Sequence, residues 1–275
     1  MGMVTSRRIR TRDGLELRVI RALPQMPPSV ILVHGLASNA RLWDGVSHHL
    51  AEAGIPTAAV DLRGHGESDR PDRGYDVANV ADDVADVIGA LAPDGAVLAG
   101  QSWGGNVVLE CGARHPDLVE AVVCVDGGFL RLAEAFADEA AMWEVLAPPR
   151  FEELTPQQLE IRLRVRFAGW PESAVSGALA NFEVGEDGFV RARLTRERHR
   201  AVLDGLWHHD PDRTLSGMTA PVRLIVAGDH RSKRARVEAF AAAGGEHLAV
   251  EWVDADHDVH AQFPSLVAEH IRSTL

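Results

Sequence analysis

The sequence predicts an α/β fold in which a mostly parallel sheet is covered on both faces by helices. Short apolar runs such as Val30-Ile31-Leu32-Val33 and Ala121-Val122-Val123-Cys124-Val125 have the length and continuity of strands buried on both sides. Between them lie segments with apolar residues at helical spacing, so strand and helix alternate along the chain. One such strand, Val97-Leu98-Ala99, runs directly into Gly100-Gln101-Ser102-Trp103-Gly104, and a helical pattern starts at about Asn106.

Residues 6 to 22 open the chain with the polar-apolar alternation of a hairpin around Asp13-Gly14. Pro24, Pro27 and Pro28 close that antiparallel edge, and the strand Val30–Val33 ends at His34-Gly35-Leu36. A helix is expected from about Arg41 to Ala53, a strand from Thr57 to Val60, a loop from Asp61 to Asp69, and a helix from about Val77 to Leu91. The serine strand follows, then the strand that ends in Asp126-Gly127-Gly128.

From about Phe129 to Arg213 the alternation stops. Helical patterns carry Trp143, Trp170 and Trp207, and one short β-like run spans Phe189 to Leu194. An insertion of this size between core strands is expected to fold as a helical cap over the strand ends. The reading therefore divides the chain into a core of residues 1–128 and 214–275 and an inserted cap of residues 129–213. Alternation resumes with Val222–Ala227 and Gly228-Asp229, then a helix from about Ser232 to Ala243 ended by Gly244 and Gly245. A strand from about Leu248 to Val253, the loop with Asp256-His257, and a helix near Pro264 complete the chain.

A strand that turns at once into a helix strains the turn residue and needs small neighbours, which Gly100 and Gly104 supply. The turn lifts Ser102 off the sheet and sets it beside a helix N-terminus, where free N–H groups favour negative charge. Serine attacks a carbonyl only when a base takes its proton, and the base needs a carboxylate to hold its tautomer. In a doubly wound sheet these groups come from loops at one edge. His257 follows the last strand and Asp229 the strand before it, giving the chain order Ser, Asp, His.

These pieces together resemble the α/β-hydrolase fold family over essentially the whole chain. The resemblance rests on His34-Gly35-Leu36, Asp61-Leu62-Arg63-Gly64-His65-Gly66-Glu67-Ser68, Gly100-Gln101-Ser102-Trp103-Gly104-Gly105, Gly228-Asp229 and Asp256-His257. It implies an eight-stranded, mostly parallel sheet, with Ser102 as nucleophile, His257 as general base and acid, and Asp229 as orienting acid. Asp126 also ends a core strand and is the alternative acid, since some relatives take the acid from that loop. The resemblance further places the oxyanion hole at the backbone N–H groups of Leu36 and Trp103, and makes the loop around His65 mostly structural. His34, Trp43, Trp143, Trp170, Trp207 and His208 are candidate substrate-pocket residues, although aromatic cap residues fill cores as readily as they line pockets. Asp256 reads as a turn residue, and His260 as a helix or loop residue rather than half of a metal pair.

The implied activity is hydrolysis of a small to medium, largely apolar carboxylic ester, lactone or thioester through an acyl-enzyme. Two alternatives stand beside it: carbon–carbon bond cleavage in a diketone-type substrate, and a ligand-binding protein without turnover. A net charge of −12 across 275 residues argues against a nucleic-acid partner. No apolar run has the length of a membrane span and the N-terminus lacks a signal-peptide segment, so a cytoplasmic protein with a small-molecule substrate and no membrane partner is expected. Cys111 and Cys124 sit among apolar residues without metal-like spacing, and no motif implies a metal or another cofactor. Lys233, the one lysine, is attributed to a GC-rich coding bias rather than to function.

Overall fold

The computed structural model describes residues 4–151, 153–228 and 231–275. Two antiparallel strands come first, β1 (Val4–Arg10) and β2 (Glu16–Ala22), joined by the turn at Asp13-Gly14. The repeating units follow as β3 (Val30–Val33), α1 (Asp44–Glu52), β4 (Thr57–Val60), α2 (Val77–Leu91), β5 (Ala96–Gln101), α3 (Trp103–Arg114) and β6 (Val119–Val125). Asp76 starts α2 by accepting the Asn79 N–H at 3.0 Å, so the helix begins where its capping residue stands.

Between β6 and the next core strand the described chain forms α4 (Leu132–Ala135), α5 (Glu139–Leu146), α6 (Pro156–Arg166), α7 (Glu172–Leu179), β7 (Phe182–Val184), β8 (Val190–Ala192), α8 (Arg196–Trp207) and α9 (Pro211–Ser216). The short run near Phe189 is thus one arm of a hairpin, paired antiparallel with Phe182–Val184. Arg70 of the core holds Glu183 of that hairpin at 2.9 Å, and Asn39 Nδ2 donates to the Gly177 carbonyl at 2.8 Å, so the insertion is tied down over the loops after β3 and β4. The chain ends with β9 (Val222–Ala227), α10 (Arg231–Gly244), β10 (Leu248–Val253), α11 (Val259–Gln262) and α12 (Pro264–Arg272).

The sheet has eight strands in the order β1-β2-β4-β3-β5-β6-β9-β10, parallel from β4 to β10 and antiparallel at β1 and β2. Its central strands send alternate residues to opposite faces: Ile31, Val33 and Leu98 pack with α2 and α3, whereas Val30, Leu32 and Val97 pack with α1 and α12. Both faces are therefore apolar, which is why these strands read as continuous hydrophobic runs.

Register decides where the loops emerge. Val33 pairs with Gly100, Gly100 with Cys124, Val125 with Ile225, and Ala227 with Val253. The carboxyl ends of β3, β5, β6, β9 and β10 consequently finish level. Every loop that carries a sequence-selected residue leaves the sheet at this one edge.

Candidate active site

Ser102 links β5 to α3 with φ 53° and ψ −123°, a left-handed conformation that a residue with a side chain rarely adopts. The turn survives because its neighbours are glycines. A Cβ on Gly100 would lie 2.2 Å from the Gly104 carbonyl oxygen, and one on Gly127 would lie 2.0 Å from the Ser102 carbonyl oxygen. The Ser102 N–H donates to the Val125 carbonyl at 2.9 Å, which fastens the turn to the end of β6.

Asp126 comes next after that carbonyl and is itself held at φ 45°. Two strained residues on adjacent strand ends mark the place where packing has over-determined the backbone. The Asp126 side chain is 1% exposed, and its Oδ2 lies 2.6 Å from His257 Nδ1. Oδ1 accepts the Ala227 N–H at 2.9 Å, and Lys233 Nζ reaches both oxygens at 3.0 Å.

This contact changes the reading of the acid. The carboxylate on His257 is Asp126, the alternative from the loop after β6, while Asp229 lies outside the described residues. The sequence could place both loops at the same edge, but not the distance from either carboxylate to the imidazole.

Burial raises the Asp126 carboxyl, but the hydrogen bond and charge of His257 and the charge of Lys233 outweigh it, so its pKa is lowered. Desolvation pulls the His257 imidazole down, yet the Asp126 hydrogen bond and charge, with Asp258 nearby, leave it raised above 6.5 against the opposing charge of Lys233. Half of the His257 side-chain surface, 51%, stays open to solvent. With Nδ1–H given to Asp126, Nε2 is the free base.

Gln101 ties this histidine to the elbow. Its Nε2 donates to the His257 carbonyl at 3.2 Å and to Asp258 Oδ1 at 3.3 Å. The Ser102 hydroxyl makes no hydrogen bond to a described residue, so the Ser102–His257 side of the arrangement is open here, as it commonly is before substrate binds.

The loop after β3 passes against the same serine. A Cβ on Gly35 would lie 3.1 Å from Ser102 Cβ, so only glycine lets the backbone approach. The next N–H, that of Leu36, bonds to no described residue, and Trp103 is the first residue of α3, where no intrahelical acceptor exists. His65 steadies this loop by accepting the Ala37 N–H at Nε2, 3.3 Å away, while its Nδ1–H donates to the Arg63 carbonyl. Asp61 adds the Ala40 N–H at 2.7 Å.

Two of the expected pocket residues are corrected by burial. His34 is completely buried, donates from Nδ1 to Gly35 O and accepts the Leu62 N–H at Nε2, and burial lowers its pKa to about 4. Trp43 is equally buried and packs against His260 with ring centroids 4.5 Å apart and the rings tilted by 49°. Both are core residues with no surface to offer a substrate. Trp143 packs edge-on to His199, Trp170 lies against Phe167, Trp207 packs against the core, and His208 is exposed with Nδ1 on the Asp204 carbonyl.

A cavity of about 370 Å³ lies instead between the post-β3 loop and the insertion. Ala37, Ser38 and His65 form its core side, and Leu146, Phe151, Phe182 and His199 are among its cap-side walls. Ser102 and His257 do not line it; its core side begins at Ala37, two residues after Gly35, where a Cβ would lie 3.1 Å from Ser102 Cβ.

A family model for the alpha/beta hydrolase fold matches residues 28–160. A 2-(acetamidomethylene)succinate hydrolase from Mesorhizobium japonicum is 35% identical over 203 residues, spanning 74% of this chain and 70% of that relative. The chain belongs to the α/β-hydrolase fold family. The crystal structure of E-2-(acetamidomethylene)succinate hydrolase matches this α/β hydrolase with a TM-score of 0.82 and 26% identity, covering 99% of each chain. An esterase structure from Mycobacterium tuberculosis matches with a TM-score of 0.74 and 25% identity over 99% of this chain and 92% of that one. These relatives are hydrolases, and hydrolysis is the class of activity they support for this α/β hydrolase. Among its described residues no helix is long and apolar enough to cross a membrane.

Sequence reasoning passed over two residues of this α/β hydrolase, Gln101 and Lys233. Gln101 sits in the variable position of the Gly-x-Ser-x-Gly motif, and nothing in its type announces a contact with a loop 156 residues away. Lys233 did carry a signal, because it is the sole lysine of the chain.

Proposed function

We propose that this protein is a serine hydrolase that cleaves a small to medium, largely apolar acyl substrate through an acyl-enzyme. Ser102 is the nucleophile, His257 the general base and acid, and Asp126 the orienting acid. The observation that carries this reading is the His257 Nδ1–Asp126 Oδ2 contact of 2.6 Å beside a strained serine.

In this mechanism His257 Nε2 takes the Ser102 proton as Oγ attacks the substrate carbonyl carbon. The carbonyl oxygen becomes an oxyanion between the Leu36 and Trp103 N–H groups, each worth about 3 kcal/mol at a developing charge. Asp126 stabilises the imidazolium, which returns the proton to the leaving group. Water, activated by the same histidine, then attacks the acyl-enzyme and frees Ser102.

The cavity supports a largely apolar substrate. Its walls are mainly aliphatic and aromatic, and its one arginine, Arg193, is paired with Glu183 at 3.3 Å. A dicarboxylate such as the substrate named for the Mesorhizobium relative would need more unpaired positive charge than this lining offers. His199 adds a polar handle: Nε2–H donates to the Leu146 carbonyl at 3.0 Å, which leaves Nδ1 as a buried acceptor without a partner among the described residues. Ser38 Oγ is likewise buried and unpartnered. An acyl compound carrying one hydrogen-bonding group fits this lining best.

The test is intact-mass analysis after exposure to a fluorophosphonate, with peptide mapping. Stoichiometric labelling at Ser102, absent in Ser102→Ala and in His257→Ala, is the expected result. An unlabelled Ser102 in a folded protein would reject the nucleophile and favour ligand binding without turnover. A panel of esters, thioesters, lactones and diketones then assigns the bond cleaved.

A further inference from the structure

The one lysine of the chain stands behind the proposed acid. Lys233, in the first turn of α10, has three ammonium hydrogens, and three acceptors surround it: both oxygens of Asp126 at 3.0 Å and the Ala227 carbonyl at 2.7 Å. Its side chain is 25% exposed, whereas that of Asp126 is 1% exposed. The carboxylate has thus exchanged its water for fixed protein donors. Oδ1 holds the Ala227 N–H and Lys233, and Oδ2 holds His257 and Lys233.

We propose that Lys233 is a positioning residue of the active site, which clamps the Asp126 carboxylate against His257 and sets the pH above which His257 is a free base. The proposal rests on the Ser102–His257–Asp126 reading. Two physical effects are involved, and they are separable.

The first is geometric. A carboxylate held by one hydrogen bond can swing about its last torsion, and the imidazole it supports swings with it. Donation to both oxygens, with a third bond to the backbone of β9, removes that freedom. The Ala227 N–H and carbonyl are one residue's two groups, so acid and lysine are both referenced to the end of a core strand.

The second is electrostatic. An unneutralised buried carboxylate would hold its imidazolium tightly and keep the base protonated through neutral pH. Lys233 cancels part of that field. Among the described residues the other charges near His257 do not replace it: Asp126 and Asp258 pull its protonation upward, Asp256 lies on the same loop, and Arg166 acts on Asp258. His260 and His34 are buried and stay neutral, their pKa values lowered to about 3 and about 4. Among the described residues, Lys233 is the cation whose charge acts on His257 most strongly.

The experiment reads His257 itself. The ring signals of His257 are titrated by NMR in the Ser102→Ala background, with Lys233 present or replaced by Met, Gln or Arg. Loss of the charge in Lys233→Met and Lys233→Gln is expected to raise the His257 titration by on the order of one pH unit. Lys233→Arg should keep it near the parent value. In the Ser102-containing enzyme the acidic limb of kcat/KM should move by the same amount. The plateau rate should fall more in Met, which cannot donate to Asp126, than in Gln.

A lysine that merely anchors α10 would lower thermal stability in Lys233→Met and leave the His257 titration unmoved, and that result overturns the proposal. Lys233→Gln keeps a neutral donor on a side chain one atom shorter, so it carries the test if the Met variant does not fold. Because the titration needs no turnover, it still reads the lysine if fluorophosphonate fails to label Ser102. Failure of the hydrolase reading is therefore distinct from failure of this one.

Discussion

His257 Nδ1 and Asp126 Oδ2 lie 2.6 Å apart across 131 residues of sequence. The separation is closed by register: β6 ends at Val125 and β10 at Val253, and both finish level with β9 between them. Replacing Asp126 with Asn keeps the shape but lets the imidazole take the wrong tautomer. Asp126→Asn is expected to lower kcat by roughly 10⁴-fold with little change in KM. Asp229→Asn should retain most of the rate. Steady-state kinetics of both variants decide between the two carboxylates, and a dead Asp229→Asn beside an active Asp126→Asn would return the role to Asp229.

The pH profile follows from the direction in which His257 is shifted. The base must be neutral to accept the serine proton, and its pKa is raised above 6.5 by Asp126 against desolvation. Activity should therefore climb with pH through a midpoint above 6.5 and level off once the imidazole is free. The same contact stabilises the charged ring, so its contribution to folding is full below about 6.5 and fades as pH rises through the higher native value. Stability and activity then move in opposite directions across neutral pH. Thermal melts and kcat/KM measured over the same pH series check this, and parallel trends would count against it.

The strands and the elbow were legible because they are local facts. Val30–Val33 and Thr57–Val60 are apolar without interruption since both sheet faces are covered, and Gly100 and Gly104 are glycines because neighbouring backbone occupies the space of a Cβ. The choice of acid was not local. Asp126 and Asp229 both follow core strands, and a sequence pattern does not report which carboxylate reaches the imidazole; the described contact is that of Asp126. Trp43 and His34 illustrate the same limit from the other side. An aromatic or histidine in a loop at the carboxyl edge of the sheet has the same sequence pattern whether it lines a pocket or fills the core, and here both fill the core. Strand β7 was missed because three residues, Phe182-Glu183-Val184, are too few to show a period.

Gly127 tests how tightly the elbow is packed. A Cβ there would sit 2.0 Å from the Ser102 carbonyl oxygen and 2.7 Å from Ser102 Cα, and both are backbone atoms that cannot turn aside. Gly127→Ala must push the strained serine off its position or distort the end of β6. A loss of about 1–3 kcal/mol in stability, the usual range for overpacking, is expected together with a fall in fluorophosphonate labelling. Denaturant unfolding and labelling kinetics measure the two effects, and a variant with parental stability and labelling would show the turn to be looser than the geometry implies.

The cavity beside the Leu36–Ser38 loop makes a prediction about substrate size. Ala147 lines it, at the cap side next to Leu146, whose carbonyl holds His199. Ala147→Trp should fill much of the 370 Å³ while leaving Ser102, His257 and Asp126 untouched. If the cavity receives the acyl chain, short acyl esters should be turned over at near-parental rates, whereas longer chains should lose kcat/KM by at least about tenfold, since each excluded methylene forfeits its burial. Labelling by a compact fluorophosphonate serves as the control, because it needs the nucleophile but not the cavity. Uniform loss across chain lengths with slowed labelling would mean that the indole disturbs the site itself. Unchanged chain-length dependence would place the acyl group elsewhere along the cleft.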